Sequence, residues 1–156
     1  MGGDRDVSRV GRRQRRMCVR DSDGSGGEDK LYGGEGDDDL WGGANNDLII
    51  GGAGNDSANG GGGDDIIRGG AGNDVLEGHN NNDMLFGGSG DDSLFGGSGD
   101  DKIEGGSGND VIEGGLGNDD LWGASGDDSV YGGRGNDTIM TAEGKDYVEG
   151  GDGNDI

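Results

Sequence analysis

GGSGDDSLF-GGSGDDKIE-GGSGNDVIE, residues 87–113, is one nine-residue pattern written three times. Each copy opens on two glycines and carries a third glycine at its fourth position. An aspartate stands at the sixth and a large aliphatic at the eighth. A fixed period of this kind makes each copy one structural unit, which buries its apolar residue only by stacking on its neighbours. Followed outward, the period holds from Gly24 to the end of the chain. Fourteen full units start at every ninth residue from Gly24 to Thr141, and a partial unit starts at Gly150.

The sixth position never varies. It is Asp29, Asp38, Asp47, Asp56, Asp65, Asp74, Asp83, Asp92, Asp101, Asp110, Asp119, Asp128, Asp137, Asp146 and Asp155. The eighth is Leu, Ile or Val from Leu31 to Val148, with Ala58 the one departure. Position 1 is Gly except at Thr141, and position 4 is Gly except at Asn45 and Asn81.

Each column has a physical meaning. Glycine at positions 1, 2 and 4 lets the backbone fold tightly, take positive φ and turn carbonyl oxygens toward a common centre. Asn tolerates the left-handed region best among the other residues, so Asn45 and Asn81 fit the pattern. His79, Ala124 and Ala142 at position 2 fit it less well. Positions 7 to 9 read as a very short strand with position 8 inward and its neighbours outward, as in Asp39-Leu40-Trp41. Ala58 leaves volume that Leu or Ile fills elsewhere. The unit with Thr141, Ala142 and Lys145 is the most degraded.

Composition sharpens the problem. The chain has 156 residues, 43 of them Gly and none Pro, which excludes collagen. Only 26% of residues are apolar and the formal charge is −22, a balance that by itself reads as disorder. The buried aliphatics do not offset the ordering entropy of so glycine-rich a chain. The charge is also uneven: residues 1–23 hold seven Arg against four Asp, whereas the array holds five Lys or Arg against thirty acids. An acidic array repels nucleic acid and anionic membranes and attracts cations. The single Cys18 forms no internal disulfide framework, and no apolar run reaches the length of a membrane span. No apolar core of a secretory signal peptide is present. Arg12-Arg13-Gln14-Arg15-Arg16 reads as part of a disordered tail over residues 1–23.

The units resemble the RTX, or haemolysin-type, calcium-binding repeat, GGxGxDxUx with U a large aliphatic. Gly33-Gly34-Glu35-Gly36-Asp37-Asp38-Asp39-Leu40-Trp41 matches it throughout, as does the unit Gly105 to Glu113. The resemblance covers residues 24–156. It implies an all-β, right-handed parallel β-roll, a two-sheet β-solenoid with 18 residues per coil. Two units make one coil, with a strand on each side and a calcium-binding turn at each edge. Loops two units apart then share an ion, which pairs Asp29 with Asp47, Asp38 with Asp56, and so on to Asp137 with Asp155. Fifteen loops paired in this way hold at most thirteen ions. The implied ligands are the carboxylates of Asp29, Asp38, Asp47, Asp56, Asp65, Asp74, Asp83, Asp92, Asp101, Asp110, Asp119, Asp128, Asp137 and Asp155. Backbone carbonyls of loop glycines join them: Gly33, Gly36, Gly51, Gly54, Gly69, Gly72, Gly87, Gly90, Gly105 and Gly108. Asp146, in the degraded unit, is left out of the set.

Charge bookkeeping supports calcium independently. Aligned aspartate rows repel one another without a counter-ion, and calcium takes six to eight hard oxygen ligands of the kind these loops supply. Magnesium fits less well, because it demands octahedral geometry and keeps its waters. The expectation is a chain disordered without calcium and folded with it.

Position 9 carries Tyr32, Trp41, Phe86, Phe95, Trp122 and Tyr131, expected to point outward and to divide between the two sheets. His79 stands alone, so no HExxH metal motif forms, and no GxSxG motif occurs. The reading is a calcium-binding module and not an enzyme. The resemblance implies a secreted or cell-surface protein. Because the array stops within a unit, a parent domain or secretion signal is expected outside residues 1–156.

Overall fold

The computed structural model describes residues 22–156. The tail expected over residues 1–23 lies outside the described residues up to residue 21. Fifteen strands follow in order: β1 (Ser22–Asp23), β2 (Lys30–Glu35), β3 (Asp39–Ala44), β4 (Leu48–Ala53), β5 (Ser57–Gly62), β6 (Ile66–Ala71), β7 (Val75–Asn80) and β8 (Met84–Ser89). Then come β9 (Ser93–Ser98), β10 (Lys102–Ser107), β11 (Val111–Leu116), β12 (Asp120–Ser125), β13 (Ser129–Arg134), β14 (Thr138–Met140) and β15 (Tyr147–Asp152). After β1, each full repeat unit starts one strand. Odd-numbered strands form one parallel sheet and even-numbered strands the other.

Register follows the repeat. Each residue pairs with the one 18 further on, as Ile103 does with Leu121 in β10 and β12. The chain therefore alternates between two sheets and completes one coil every two units. The architecture is an all-β, two-sheet β-solenoid of about seven turns, as the resemblance implied.

The strands are longer than the three residues expected from the sequence. Each full strand runs from position 7 through position 3 of the following unit, six residues in all. Within it, position 8 and the next position 1 face inward, while positions 7 and 9 face out. The signal for the second half was hidden, because the inward residue there is a glycine and adds no hydrophobic periodicity.

The core is a stack of single side chains. Leu31, Leu40, Ile49, Ala58, Ile67, Leu76, Leu85, Leu94, Ile103, Ile112, Leu121 and Val130 are buried in one cluster, with Ile139 packed partly against it. Val148 is exposed, so the apolar column ends before the last full unit. Ala58 is buried between Leu40 and Leu76 of the same sheet and supplies the fewest atoms to the stack.

Left-handed positions are filled as their side chains allow. Asn45 and Asn81 take φ of 79° and 77°. His79 and Ala124 take 78° at position 2, so these two units keep the backbone path despite the missing glycine. The unit at Thr141 does not. Its strand, β14, stops at Met140, one residue short of Thr141.

Candidate metal centre

Between consecutive strands lies a loop of three residues, positions 4 to 6. Loops after even-numbered strands stack along one edge of the solenoid and loops after odd-numbered strands along the other. The invariant aspartate is the last loop residue, and strand register places it directly beside the aspartate 18 residues away. Twelve of these residues, Asp38 through Asp137 at every ninth position, are buried.

A ladder of hydrogen bonds runs through each row. The backbone N–H of each aspartate donates to Oδ1 of the aspartate 18 residues on. Asp38 to Asp56 measures 2.9 Å on one edge, and Asp65 to Asp83 measures 2.8 Å on the other. All thirteen pairs implied by the resemblance are linked in this way, from Asp29 with Asp47 to Asp137 with Asp155. Asp146 takes part as well, with the longest of these bonds at 3.1 Å from Asp128 N.

The second carboxylate oxygen tells a different story. Oδ2 of Asp29 and of the twelve buried aspartates is sequestered from solvent with no hydrogen-bond partner. A buried anionic oxygen without a donor is costly. Electrostatics record that cost. Burial, reinforced by the neighbouring carboxylates and opposed by the N–H bond, pushes Asp83, Asp92 and Asp119 up to about 7 and Asp65 and Asp110 up to about 6.

Glycine geometry explains why oxygens gather at these edges. A Cβ added at Gly33 would lie 2.6 Å from Asp38 Oδ2 and 2.6 Å from the carbonyl oxygen of Gly51. Position 1 must therefore be glycine for the carboxylate of its own unit and the carbonyl of the next coil to approach together. The carbonyls of Gly69, Gly87 and Gly105 sit in the same way beside Asp56, Asp74 and Asp92. At position 4, the carbonyls of Gly36, Gly54, Gly72, Gly90 and Gly108 accept no hydrogen bond from the described residues. Thr141 is the exception that tests the rule. Its Cβ occupies the place that glycine leaves open elsewhere, β14 ends, and Asp146 is only partly buried.

Each edge thus presents buried carboxylate oxygens lacking partners and backbone carbonyls lacking donors. Among the described residues, no three His, Cys, Asp or Glu side chains gather on one point. A cation at this edge would draw on main-chain carbonyls as well as on the stacked carboxylates. That donor set is all hard oxygen, which suits calcium and not the softer, nitrogen- or sulfur-preferring metals.

Position 5 holds a second ladder that the sequence reading passed over. Here the direction reverses: the backbone N–H of the later loop donates to the side-chain oxygen 18 residues earlier, as Asn73 N does to Asn55 Oδ1 at 2.8 Å. The column is Asp or Asn from Asp37 to Asn136, a visible signal whose purpose needed the stacking register to emerge. The six aromatic residues of position 9 divide between the sheets as expected, with Tyr32, Trp41 and Trp122 exposed. His79 lies outside both rows, at 3.1 Å from the half-buried Glu77.

The profile of the RTX calcium-binding nonapeptide repeat matches residues 23–58, 59–94, 86–121, 95–130 and 122–156, nearly the whole described chain. Fold, loop chemistry and sequence therefore agree, and the chain belongs to the RTX calcium-binding nonapeptide-repeat family. No enzymatic family is detected in it. No curated protein is similar enough to the chain to match. No helix of the described residues is long and apolar enough to cross a membrane.

Proposed function

We infer that this chain is a calcium-ordered module of a secreted protein, in which ion binding and folding are one event. The observation that carries this reading is the row of buried Oδ2 oxygens with no partner along both edges. A fold that buries twelve aspartates in register is self-repelling until cations enter the rows. The side-chain ligands are the position-6 aspartates from Asp29 to Asp137 together with Asp155. The carbonyls of the position-1 and position-4 glycines complete the shell. Calcium supplies the positive charge that lets neighbouring coils approach.

Such coupling suits a protein that leaves a calcium-poor cell interior unfolded and meets calcium outside. Affinity in the extracellular range of about 10⁻⁴–10⁻³ M serves that switch. Folding is tested by far-ultraviolet circular dichroism of the full chain during a calcium titration, with magnesium in parallel. A cooperative gain of β signal with calcium alone, reversed by chelator, is the expected result. A spectrum that stays disordered at ~10 mM calcium, or that responds equally to magnesium, refutes the reading.

A further inference from the structure

The two outer faces of the solenoid differ in chemistry, and the difference follows from the 18-residue coil. Positions 7 and 9 of the even-numbered strands all point out on one side. That side carries Lys30, Arg68 and Lys102, three of the five cations of the array, against Glu104 and Asp120. The face of the odd-numbered strands carries Asp39, Glu77, Glu113 and Glu149 and no cation at these positions from β3 to β15. The even face also carries an apolar side chain on each of four neighbouring strands, β2 to β8, interleaved with Lys30 and Arg68. Leu48, Ile66, Met84 and Phe86 lie there, with Ile66 and Met84 more than a third exposed. The Arg68 guanidinium rests over the Phe86 ring, 5.1 Å from its centroid, and Lys102 reaches Asp120 at 3.7 Å on the same surface.

We propose that this even-strand face is the interface of a symmetric dimer, its occupant a second copy of the same chain. The position-9 row is self-complementary under one operation. A two-fold axis lying between two such faces, parallel to the strands and over β8, sets β6 of one copy against β10 of its partner. Position 9 then brings Arg68 opposite Glu104, twice by symmetry. Ile50 meets Trp122, Tyr32 meets Met140, and Phe86 meets itself on the axis. The same operation about β9 on the odd face sets Glu77 against Glu113, like charge on like. An isologous interface needs this kind of self-matching, and only the even face has it. Six strands of six residues and the three-residue β14, about 4.8 Å apart, give roughly 600 Å² per copy, about three quarters of the ~800 Å² per partner of a standard stable interface. Glycine at position 2 keeps the remainder of the face flat from β2 to β10, with Ala124 in its place on β12.

The dimer requires the folded roll, so this inference rests on the calcium reading for its conditions. Two measurements on one sample keep the failures separate: circular dichroism reports folding and sedimentation velocity reports association. The full chain is studied at ~50 µM in calcium sufficient to saturate the β signal. Glu104→Arg sets Arg against Arg68 and is expected to weaken the dimer at least tenfold, as is Phe86→Asp on the axis. Both side chains lie outside the core, so the β signal stays. Arg68→Glu combined with Glu104→Arg swaps the pair and is expected to restore dimerisation. A monomer for the unaltered chain, open-ended oligomers, or a Glu104→Arg defect that Arg68→Glu does not repair would each overturn the proposal.

Discussion

Asp83→Asn separates a structural aspartate ladder from an ion-binding one. Asp83 is buried; its Oδ1 accepts the Asp65 N–H at 2.8 Å, its own N–H donates to Asp101 Oδ1 at 2.8 Å, and its Oδ2 has no partner. Asparagine has the same shape. It retains the Oδ1 acceptor and the backbone donor, and its amide faces the position where Oδ2 lacked a donor. As hydrogen bonding, the exchange is neutral or favourable. As ion chemistry it is not, because an interior loop serves the sites above and below it, and both lose a carboxylate. An ion of ~1 mM affinity contributes about 1.4 kcal/mol to folding at ~10 mM calcium. Losing two therefore costs about 3 kcal/mol. Spread over the roughly eleven remaining ions of one cooperative transition, that raises the calcium midpoint only about 1.6-fold. The sharper readout is stoichiometry: equilibrium dialysis is expected to show two fewer calcium ions per chain. Asp91→Asn is the control, since Asp91 is exposed at position 5, where Asn already stands at Asn73 and Asn109. Unchanged stoichiometry in Asp83→Asn, or equal loss in both variants, would show that the buried row does not hold the ions.

Other consequences are open to direct measurement. The carboxyls of Asp65, Asp83, Asp92, Asp110 and Asp119 are raised from 3.8 to about 6 or 7 by burial, so in the calcium-free chain their contribution to the fold is fully present below pH 3.8 and is lost as pH rises through 6 to 7. Acidification from pH 8 to 5 without calcium is expected to increase the β signal, while the calcium midpoint rises because protons compete for the same oxygens; a β signal that falls on acidification refutes this. Leu94→Ala, at a fully buried position, is expected to cost about 2–5 kcal/mol and to show in urea unfolding at saturating calcium. Thr141→Gly with Ala142→Gly restores the pattern of the last full unit, and hydrogen exchange is expected to show protection extending beyond Met140. Gly105→Ala does the reverse: its Cβ collides with Asp110 Oδ2, and about 1–3 kcal/mol of overpacking is expected, with exchange protection lost in β10.

Much of this molecule is legible in one dimension, for an identifiable reason. A strict period of nine with one inward aliphatic fixes which side chains share a face, and the resemblance to the RTX repeat implies the 18-residue coil. Hence the core from Leu31 to Val130 could be read from the pattern, and the thirteen aspartate pairs from the resemblance. Strand length could not. Gly33 or Gly105 at position 1 is inward-facing yet silent in any hydrophobic pattern, because its contribution is the absence of a Cβ. The position-5 ladder was equally opaque: the use of Asn73 and Asp91 emerges only when register shows Asp91 N donating to Asn73 Oδ1 at 3.0 Å. The unit at Thr141 already read as the most degraded, and the coordinates show what its departures do to the strand. Ala124 and Thr141 both replace glycine, but Ala124 bears a left-handed φ of 78° and the strand continues, whereas Thr141 coincides with the end of its strand.

The difference between those two positions shows what the repeat protects. At position 2 a Cβ would also meet a carbonyl oxygen of the preceding coil, as at Gly52 and Gly70, yet His79 and Ala124 are accommodated there with φ at 78°, at a cost of roughly 1–2 kcal/mol of left-handed strain. At position 1 the demand is for space, since the carboxylate of its own unit and a carbonyl of the next coil already occupy the surroundings of its Cα. No rotamer relieves a clash at Cβ. Position 1 should therefore tolerate substitution least where a loop must bring its carboxylate beside that carbonyl. In this chain it departs from glycine only at Thr141, in the unit where Val148 leaves the core and Asp146 is only partly buried. Loss of the aliphatic contact and loss of the oxygen cluster occur together there, which is the behaviour of a unit whose loop chemistry and core packing depend on one another.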